Sequence, residues 1–236
     1  MSSVHSFYSI QFKGLFLDLA VVSRTILQHI NGIIKNALQY RNLMRIAIMG
    51  GTFNPIHNAH LISAEQVHDK LNYDRVLFVP SARPPHKGTH DIIDSEHRYE
   101  ITQMAVADNP HFEVLRIELD REGQSYAIQT VKELQELYGS DCELAWIIGA
   151  DSLIEFKIWK DWDEILNICH FIATTRPGYP LSKVPHDIIN RVEIFQIPEM
   201  EISATDIRNR IRSKHSIRYL VPSQVVEYIA KHKLFI

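Results

Sequence analysis

The stretch of sequence that decides the fold is RIAIMGGTFNPIHNAH, residues 45–60. Its first five residues, 45–49, form an apolar run that is typical of a buried strand, and two glycines follow directly. Residues 61–65, LISAE, continue in a pattern that indicates a helix. We therefore predict a strand that leads into a helix through a turn with two glycines, which is a basic unit of α/β folds.

The turn at Gly50 and Gly51 has the features of an anion-binding site. A strand that leads into a helix through paired glycines places backbone N–H groups and the positive end of the helix where an anion can lie. His57 and His60 stand three residues apart at the start of this helix, so both can face the same anion. The local sequence thus predicts a site for nucleotide phosphates.

Apolar runs and helical patterns alternate along the rest of the chain, which predicts a Rossmann-like, doubly wound parallel sheet of the α/β class with a C-terminal helical piece. The predicted strands cover residues 45–49, 75–79, 112–117, 143–148, 171–174 and 192–195. The predicted helices lie near residues 59–71, 95–107, 126–138, 152–167, 203–213 and 223–231. In such sheets, ligands bind beyond the carboxyl ends of the strands, where the strand order reverses.

Composition and charge exclude several classes of protein. A chain of 236 residues with 45% hydrophobic and 22% charged residues suits one soluble α/β domain with a small appendage. A formal net charge of −3 gives no general attraction to nucleic acid. The two cysteines, Cys142 and Cys169, have no metal-ligand spacing, which argues against a disulfide framework and a structural zinc site and favours the reducing cytoplasm.

Residues 1–43 differ in character from residues 44–236. Apolar residues recur there at steps of three and four and give one apolar helical face, but Asp18 and Arg24 interrupt the run, so no membrane span is expected. Two interpretations stay open for this extension. It is an amphipathic targeting or interfacial helix, or it is a wrongly assigned start and synthesis begins at Met44. Under both interpretations, residues 44–236 form the functional domain.

A second motif, ISATDIR at residues 202–208, lies near the C-terminus. Ser203 and Asp206 have the spacing of a capping box, which begins many helices that bind nothing. The functional interpretation adds that Ser203, Thr205 and the helix N-terminus present several donors to one anion, and that Arg208 adds a guanidinium one turn later. The motif becomes specific because it occurs together with the histidine motif.

Residues 50–60 resemble the G-G-T-F-x-P-x-H-x-G-H signature of the HxGH nucleotidylyltransferases, with Asn54 where Asp is usual and Ala59 in place of a glycine. Residues 202–208 resemble the I-S-[ST]-T-x-I-R motif of the same proteins. The resemblance extends from residue 44 nearly to the C-terminus. Within this superfamily, the sequence is most similar to bacterial nicotinate-nucleotide adenylyltransferases. The resemblance implies that residues 44–236 are a nucleotidylyltransferase domain that transfers AMP from ATP to nicotinate mononucleotide, giving nicotinate adenine dinucleotide and pyrophosphate in NAD biosynthesis.

The resemblance also implies roles for the residues at matching positions. His57, His60 and Arg208 are the expected catalytic residues. Mg²⁺ that bridges the ATP phosphates is the expected cofactor, without a metal site built by the protein. The expected ATP-binding residues are Gly50, Gly51, Thr52, Phe53, Gly149, Asp151, Ser203, Thr205 and Arg208.

The mononucleotide is expected to lie beside the PPHK stretch at residues 84–87 and against Trp159, whose indole stacks on the pyridine ring in the resembled family. The family motif S-Y-T is matched by residues 125–127, where Ala127 lacks the hydroxyl, so the choice between nicotinate and nicotinamide mononucleotide stays open. The expected mononucleotide-binding residues are Asn54, Pro84, Lys87, Tyr126, Ala127, Trp159 and Arg176.

Other functions stay open at this point. A related transferase would act on nicotinamide mononucleotide, on phosphopantetheine or with a cytidine nucleotide. A class I aminoacyl-tRNA synthetase shares the histidine motif, but the chain lacks a K-M-S-K-S-like run. A nucleotide-binding regulator without catalysis and a peripheral membrane scaffold are further alternatives. The expected partners are ATP and the mononucleotide, with no nucleic acid and no membrane, and the sequence does not decide whether a homo-oligomer forms.

Overall fold

The computed structural model describes residues 43–85 and 91–236. Met44–Ile236 forms one compact unit. The helical face expected in the N-terminal extension and Lys87 of the PPHK stretch both lie outside the described residues. Within the described ranges, every helix is too short or too polar to cross a membrane.

The described residues build a sheet of six parallel strands in the order β3-β2-β1-β4-β5-β6, with helices on both faces. The strands are β1 Met44–Gly51, β2 Arg75–Pro80, β3 Phe112–Val114, β4 Cys142–Gly149, β5 His170–Thr174 and β6 Glu193–Phe195. The helices are α1 Asn58–Leu71, α2 Ser95–Val106, α3 Ile117–Asp120, α4 Ala127–Tyr138, α5 Ala150–Ile154, α6 Trp162–Ile168, α7 His186–Ile189, α8 Ala204–Arg212 and α9 Ser223–Lys231. Short 3₁₀ helices cover Phe156–Ile158 and Leu181–Lys183.

The direction of winding reverses between β1 and β4. The chain runs outward from β1 through β2 to β3, then returns to the other side of β1 and continues outward through β4, β5 and β6. The register places Ile48 of β1 opposite Trp146 of β4. The predicted doubly wound parallel sheet is therefore confirmed, and its crevice for ligands lies beyond the carboxyl ends of these two central strands.

The apolar run at the start of the domain is continuous because both faces of β1 are buried. Ala47 and Met49 pack into one core layer together with α1, α2, α8 and α9. Ile46 and Ile48 point to the opposite layer, where α4, α5 and α6 pack. The predicted C-terminal helical piece thus completes the first layer of the core.

Two predicted elements differ from the structure. The third strand ends at Val114 rather than at residue 117, since the backbone turns into α3 at Ile117. The helix predicted over 152–167 is divided into α5, a 3₁₀ turn and α6, and Asp161 adopts a left-handed conformation with φ of 52° directly before α6. This break brings Trp159 into a turn at the ligand side of the sheet.

Candidate active site

A cavity of about 720 Å³ lies at the carboxyl ends of β1 and β4. Its walls come from the turn after β1, the start of α1, the end of β4, the segment after β5 and the start of α8. Most of the predicted site residues line this cavity: Gly50, Gly51, Thr52, Phe53, Asn54, His57, His60, Gly149, Asp151, Trp159, Arg176, Ser203, Thr205 and Arg208.

Gly50 and Gly51, predicted to form the turn, are the last two residues of β1 and leave room for two aromatic rings. A Cβ atom on Gly50 would lie 2.1 Å from Cζ2 of Trp146, and one on Gly51 would lie 2.9 Å from Cε1 of Phe53. Phe53 is buried in a left-handed conformation with φ of 45°, and its ring contacts the ring of His60 edge-on at 5.2 Å. The turn therefore packs closely onto the aromatic groups beneath it.

The two histidines of the motif lie side by side. His57 is the N-cap of α1, and its backbone N–H donates to Nδ1 of His60 at 3.2 Å. The imidazole rings are stacked, with centroids 3.7 Å apart and planes 21° from parallel. Because Nδ1 of His60 accepts this hydrogen bond, the proton of a neutral His60 ring is assigned to Nε2.

His57 is held in the neutral form. Its side chain is 5% exposed, and burial together with the positive charge of Arg176 lowers the pKa of His57 to about 3. Its Nδ1 atom is buried and has no hydrogen-bond partner within residues 43–85 and 91–236. A neutral imidazole carries one N–H, so His57 can give one hydrogen bond to a ligand at neutral pH.

Arg208 joins the C-terminal motif to the first turn. Ser203 caps α8 by accepting a hydrogen bond from the backbone N–H of Asp206 at 3.2 Å, as the capping-box spacing predicts. One turn later, Nη1 of Arg208 donates to the backbone oxygen of Asn54 at 3.0 Å and Nη2 donates to Oγ1 of Thr205 at 3.3 Å. Burial lowers the pKa of Arg208, yet a guanidinium stays charged at neutral pH.

Both polar atoms of the Asn54 side-chain amide form hydrogen bonds with the backbone of residues 91 and 93. Nδ2 donates to the backbone oxygen of Asp91 at 2.7 Å, and Oδ1 accepts from the backbone N–H of Ile93 at 3.2 Å. An ionised aspartate could not donate the first of these bonds. Asn54 was predicted to contact the mononucleotide; it stands in the cavity wall and ties residues 91–93 to the first turn.

Asp151 and Arg176 form an ion pair on another wall of the cavity. Nη1 of Arg176 lies 2.5 Å from Oδ2 of Asp151, and Nη2 donates to the backbone oxygen of Ile202 at 3.4 Å. Asp151 is expected at the ATP and Arg176 at the mononucleotide. The ion pair brings both residues to the same part of the cavity, beside Gly149.

Trp159 is half-buried at the edge of the cavity. Its ring packs against Phe156 at 5.0 Å and meets Trp146 edge-on at 6.1 Å. Trp162 lies outside the cavity lining, packs on the second core layer and has Nζ of Lys157 5.3 Å from its ring centroid. Of these two neighbouring tryptophans, Trp159 is therefore the one that a ligand can reach.

Three predicted mononucleotide residues, Pro84, Tyr126 and Ala127, do not line the cavity. Pro84 lies in the loop after β2, whereas Tyr126 and Ala127 stand at the start of α4, and two hydrogen bonds join that loop to the loop before α4. The N–H of Arg83 donates to Oγ of Ser125, and the N–H of Ser125 donates to the oxygen of Arg83, both at 3.0 Å. These loops form a separate wall after β2 and before α4, where Nζ of Lys160 lies 4.5 Å from the ring centroid of Tyr126.

Several lining residues escaped the sequence analysis. They lie in strand β4 or in irregular segments after β5, which carry no periodic signal. Of these residues, Trp146 could have been predicted from the sequence. It lies in a predicted strand, and a strand that pairs with β1 places its residues close to the glycines that follow the apolar run. The missed lining residues include Trp146, Thr175, Tyr179, Ile197 and Met200.

Comparisons with known proteins agree with this geometry. The cytidylyltransferase-like family matches residues 48–210. A Moorella thermoacetica protein named "Probable nicotinate-nucleotide adenylyltransferase" is 45% identical over 198 residues, covering 81% of this chain and 91% of that protein. A Corynebacterium glutamicum protein of the same name is 42% identical over 193 residues, covering 81% of this chain and 88% of that protein.

Solved structures show the same fold. The Plasmodium falciparum nicotinic acid mononucleotide adenylyltransferase complexed with NaAD has a TM-score of 0.68 at 16% identity and covers 81% of this chain and 97% of that one. The same protein complexed with APC has a TM-score of 0.67. The family match and the close relatives together show that the chain belongs to the cytidylyltransferase-like family, in the group of the nicotinate-nucleotide adenylyltransferases.

Proposed function

We propose that the protein transfers the AMP part of ATP to nicotinate mononucleotide, forming nicotinate adenine dinucleotide and pyrophosphate. The observation that carries this proposal is that His57, His60 and Arg208 line one cavity at the reversal point of a doubly wound sheet. The names of the relatives add the identity of the acceptor. A nicotinamide mononucleotide transferase is the second candidate, because Ala127 stands where a hydroxyl would be expected.

ATP is proposed to lie across the first turn and the start of α8. The glycine turn from Gly50 to Phe53 and the N-terminus of α1 face the α-phosphate. Ser203, Thr205 and Arg208 face the β- and γ-phosphates, since a capped helix N-terminus and a guanidinium both favour a dense negative charge. Gly149 and Asp151 lie at the end of β4, where a carboxylate can accept hydrogen bonds from ribose hydroxyls.

The reaction is proposed to be a direct in-line transfer. A phosphate oxygen of the mononucleotide forms a bond to the α-phosphorus, the bond from that phosphorus to the bridging oxygen breaks, and pyrophosphate leaves with the electron pair. Such a transfer needs alignment and charge stabilisation more than covalent chemistry. The N–H groups of His57 and His60 and the guanidinium of Arg208 would stabilise the charge that develops on the leaving group.

Mg²⁺ is proposed to arrive as part of the nucleotide substrate. Among the residues that the structure describes, no three or more His, Cys, Asp or Glu side chains stand together as a metal-binding group. The ion would instead be held by the phosphates of ATP and by water, which is common for Mg²⁺. It would supply positive charge to the departing pyrophosphate.

The mononucleotide is proposed to lie between Trp159 and the wall formed by the loops of Pro84 and Tyr126. Trp159 would stack on the pyridine ring, and Arg176 and Lys87 would supply positive charge near the phosphate. Asn54 and Ala127 complete the proposed set. We place the reaction in the cytoplasm, since Cys142 and Cys169 are free thiols, which suits a reducing compartment.

A pyrophosphate-release assay with three acceptors tests the proposal. The purified chain is incubated with Mg²⁺·ATP and with nicotinate mononucleotide, nicotinamide mononucleotide or phosphopantetheine in parallel. We expect the highest kcat/KM with nicotinate mononucleotide and none above background with phosphopantetheine. A preference for phosphopantetheine, or no release with any acceptor, would contradict the proposed function.

A further inference from the structure

Arg98 is the largest side chain that is fully buried, and it stands outside the cavity lining. It lies in the first turn of α2, 1% exposed, and Thr102 donates to its backbone oxygen at 2.6 Å. Burial lowers the pKa of Arg98 to about 10, so the guanidinium remains positive at neutral pH. A buried charge of this kind is costly unless its hydrogen-bond donors are used.

The guanidinium of Arg98 binds three backbone oxygens from three separate segments. Nη1 donates to the oxygen of Thr52 at 2.7 Å, in the turn after β1. Nη2 donates to the oxygen of Ala82 at 3.1 Å, in the loop after β2. Nε donates to the oxygen of Ile93 at 3.1 Å, in the segment before α2. The negative charges of Asp94 and Glu118 act on Arg98 through space and oppose the larger effect of burial on its pKa.

Two of these three segments, the turn after β1 and the loop after β2, carry proposed substrate contacts. Thr52 precedes Phe53 and the histidine motif on the side of ATP. Ala82 precedes the loop of Arg83 and Pro84 on the side of the mononucleotide. One planar group therefore fixes the distance between the walls that face the two substrates, because a guanidinium presents its donors in a rigid fork.

The third contact extends this connection to the catalytic residues. Arg98 holds the oxygen of Ile93, whose N–H donates to Oδ1 of Asn54 at 3.2 Å. The backbone oxygen of Asn54 in turn accepts the hydrogen bond from Arg208. A short series of hydrogen bonds thus runs from the buried guanidinium to the guanidinium in the cavity wall.

We propose that Arg98 is a positioning residue, which sets the separation of the ATP-side turn and the mononucleotide-side loop for the transfer step; this inference rests on the proposed function. Arg98 touches neither substrate, since it is buried beneath the cavity wall. Its loss would leave each substrate able to bind by itself. The two reacting phosphates would be misaligned, and a misplacement of about 1 Å can reduce the rate by about 10²-fold.

The test uses the full chain with Arg98→Lys, which keeps the positive charge but cannot reach three oxygens in one plane. Calorimetry gives the dissociation constants of a non-hydrolysable ATP analogue alone and of nicotinate mononucleotide alone, and pyrophosphate release gives kcat. We expect each dissociation constant to change by less than about threefold while kcat falls by about 30-fold or more. Ile101→Val, a buried change in the same helix at a side chain that makes no hydrogen bond, is the control and keeps kcat within about twofold.

The proposal is overturned if kcat of Arg98→Lys stays within about threefold of the wild type, or if both affinities fall in parallel with kcat. If the lysine variant does not fold, Arg98→Gln, whose amide keeps two donors, is judged by the same criteria. Failure of both variants to fold would assign Arg98 to folding alone and overturn the proposal. A wild type that releases no pyrophosphate would instead remove the proposed function, and the inference with it.

Discussion

The most informative residues of this protein are two imidazoles and one guanidinium that are far apart in the chain. His57 and His60 are stacked at the start of α1, and Arg208 reaches the backbone of Asn54 from a helix 154 residues later. The sequence motifs predicted both ends of this arrangement. The motifs could not predict that the backbone oxygen of Asn54 accepts the hydrogen bond that joins the two ends, since a backbone contact does not depend on residue type.

Replacing His60 by Ala tests the role of the second imidazole. We expect kcat to fall by about 10²–10³-fold, the usual cost of removing one donor that stabilises a developing charge. The fold should persist, because the lost hydrogen bond from the backbone of His57 contributes about 1 kcal/mol to the free energy of unfolding. Pyrophosphate release measures the first effect and circular dichroism the second. Normal turnover would exclude the assigned role.

The low pKa of His57 predicts a pH-dependent stability. Between its pKa of about 3 in the folded protein and about 6.5 in the unfolded chain, only the unfolded state binds the proton. The free energy of unfolding should therefore decrease as the pH falls below about 6.5, by up to about 1.4 kcal/mol per pH unit. His57→Asn, which keeps a good N-cap residue, should show a shallower dependence in urea titrations from pH 7 to pH 5. Equal slopes would mean that His57 titrates normally.

Trp159→Ala should weaken the binding of the mononucleotide and leave the binding of ATP unchanged. Loss of the stacked ring is expected to raise KM for nicotinate mononucleotide by about tenfold or more, while KM for ATP changes by less than about twofold. Trp162→Ala is the matched control, because Trp162 lies outside the cavity lining. Steady-state kinetics with each substrate varied in turn measure both. Parallel effects of the two substitutions on the mononucleotide would argue against stacking by Trp159.

At the level of elements, the sequence predicted the sheet better than the short helices. The apolar runs of β1, β2, β4 and β5 could be read from the sequence because these strands pack into the core on both faces. Helices α3 and α7 have four residues each, too few to show a period, and so they were missed. The division of the predicted helix 152–167 includes the left-handed Asp161 before α6, a conformation that residue type does not dictate.

Capping of α8 provides a prediction for a single element. Ser203→Ala should reduce the free energy of unfolding by about 1 kcal/mol and also raise KM for ATP, since the capped end of α8 is proposed to face the phosphates. Asp94 caps α2 in the same way, by accepting from the backbone N–H of Glu96 at 2.8 Å. Asp94→Ala should cost similar stability without raising KM for ATP. An equal rise in KM for both variants would contradict the special role of α8.

At the scale of the whole molecule, topology brings the site together. The alternation of elements predicted a doubly wound parallel sheet; the structure shows that the strand order reverses between β1 and β4, and the cavity lies at that point. The wall with Pro84, Tyr126 and Ala127 was predicted as part of the same site, yet it stands beside the cavity. Its distance from Trp159 depends on loop geometry, which no pattern in the sequence encodes.

The division at Met44 predicts that the N-terminal extension is dispensable. A chain that begins at Met44 should retain kcat, both KM values and the urea midpoint of the full chain within about twofold, since Met44–Ile236 is compact by itself. Kinetics and urea titration of the two chains side by side provide the measurement. Loss of activity in the shorter chain would show that the extension takes part in the function.

The most direct test of the account is a crystal structure of the protein with a non-hydrolysable ATP analogue. We predict that a ring N–H of His57, a ring N–H of His60 and the guanidinium of Arg208 all lie within hydrogen-bond distance of the same triphosphate. An analogue bound elsewhere would contradict the central claim. So would a structure in which the phosphates lie more than about 5 Å from Arg208 and its guanidinium stays hydrogen-bonded to the oxygen of Asn54.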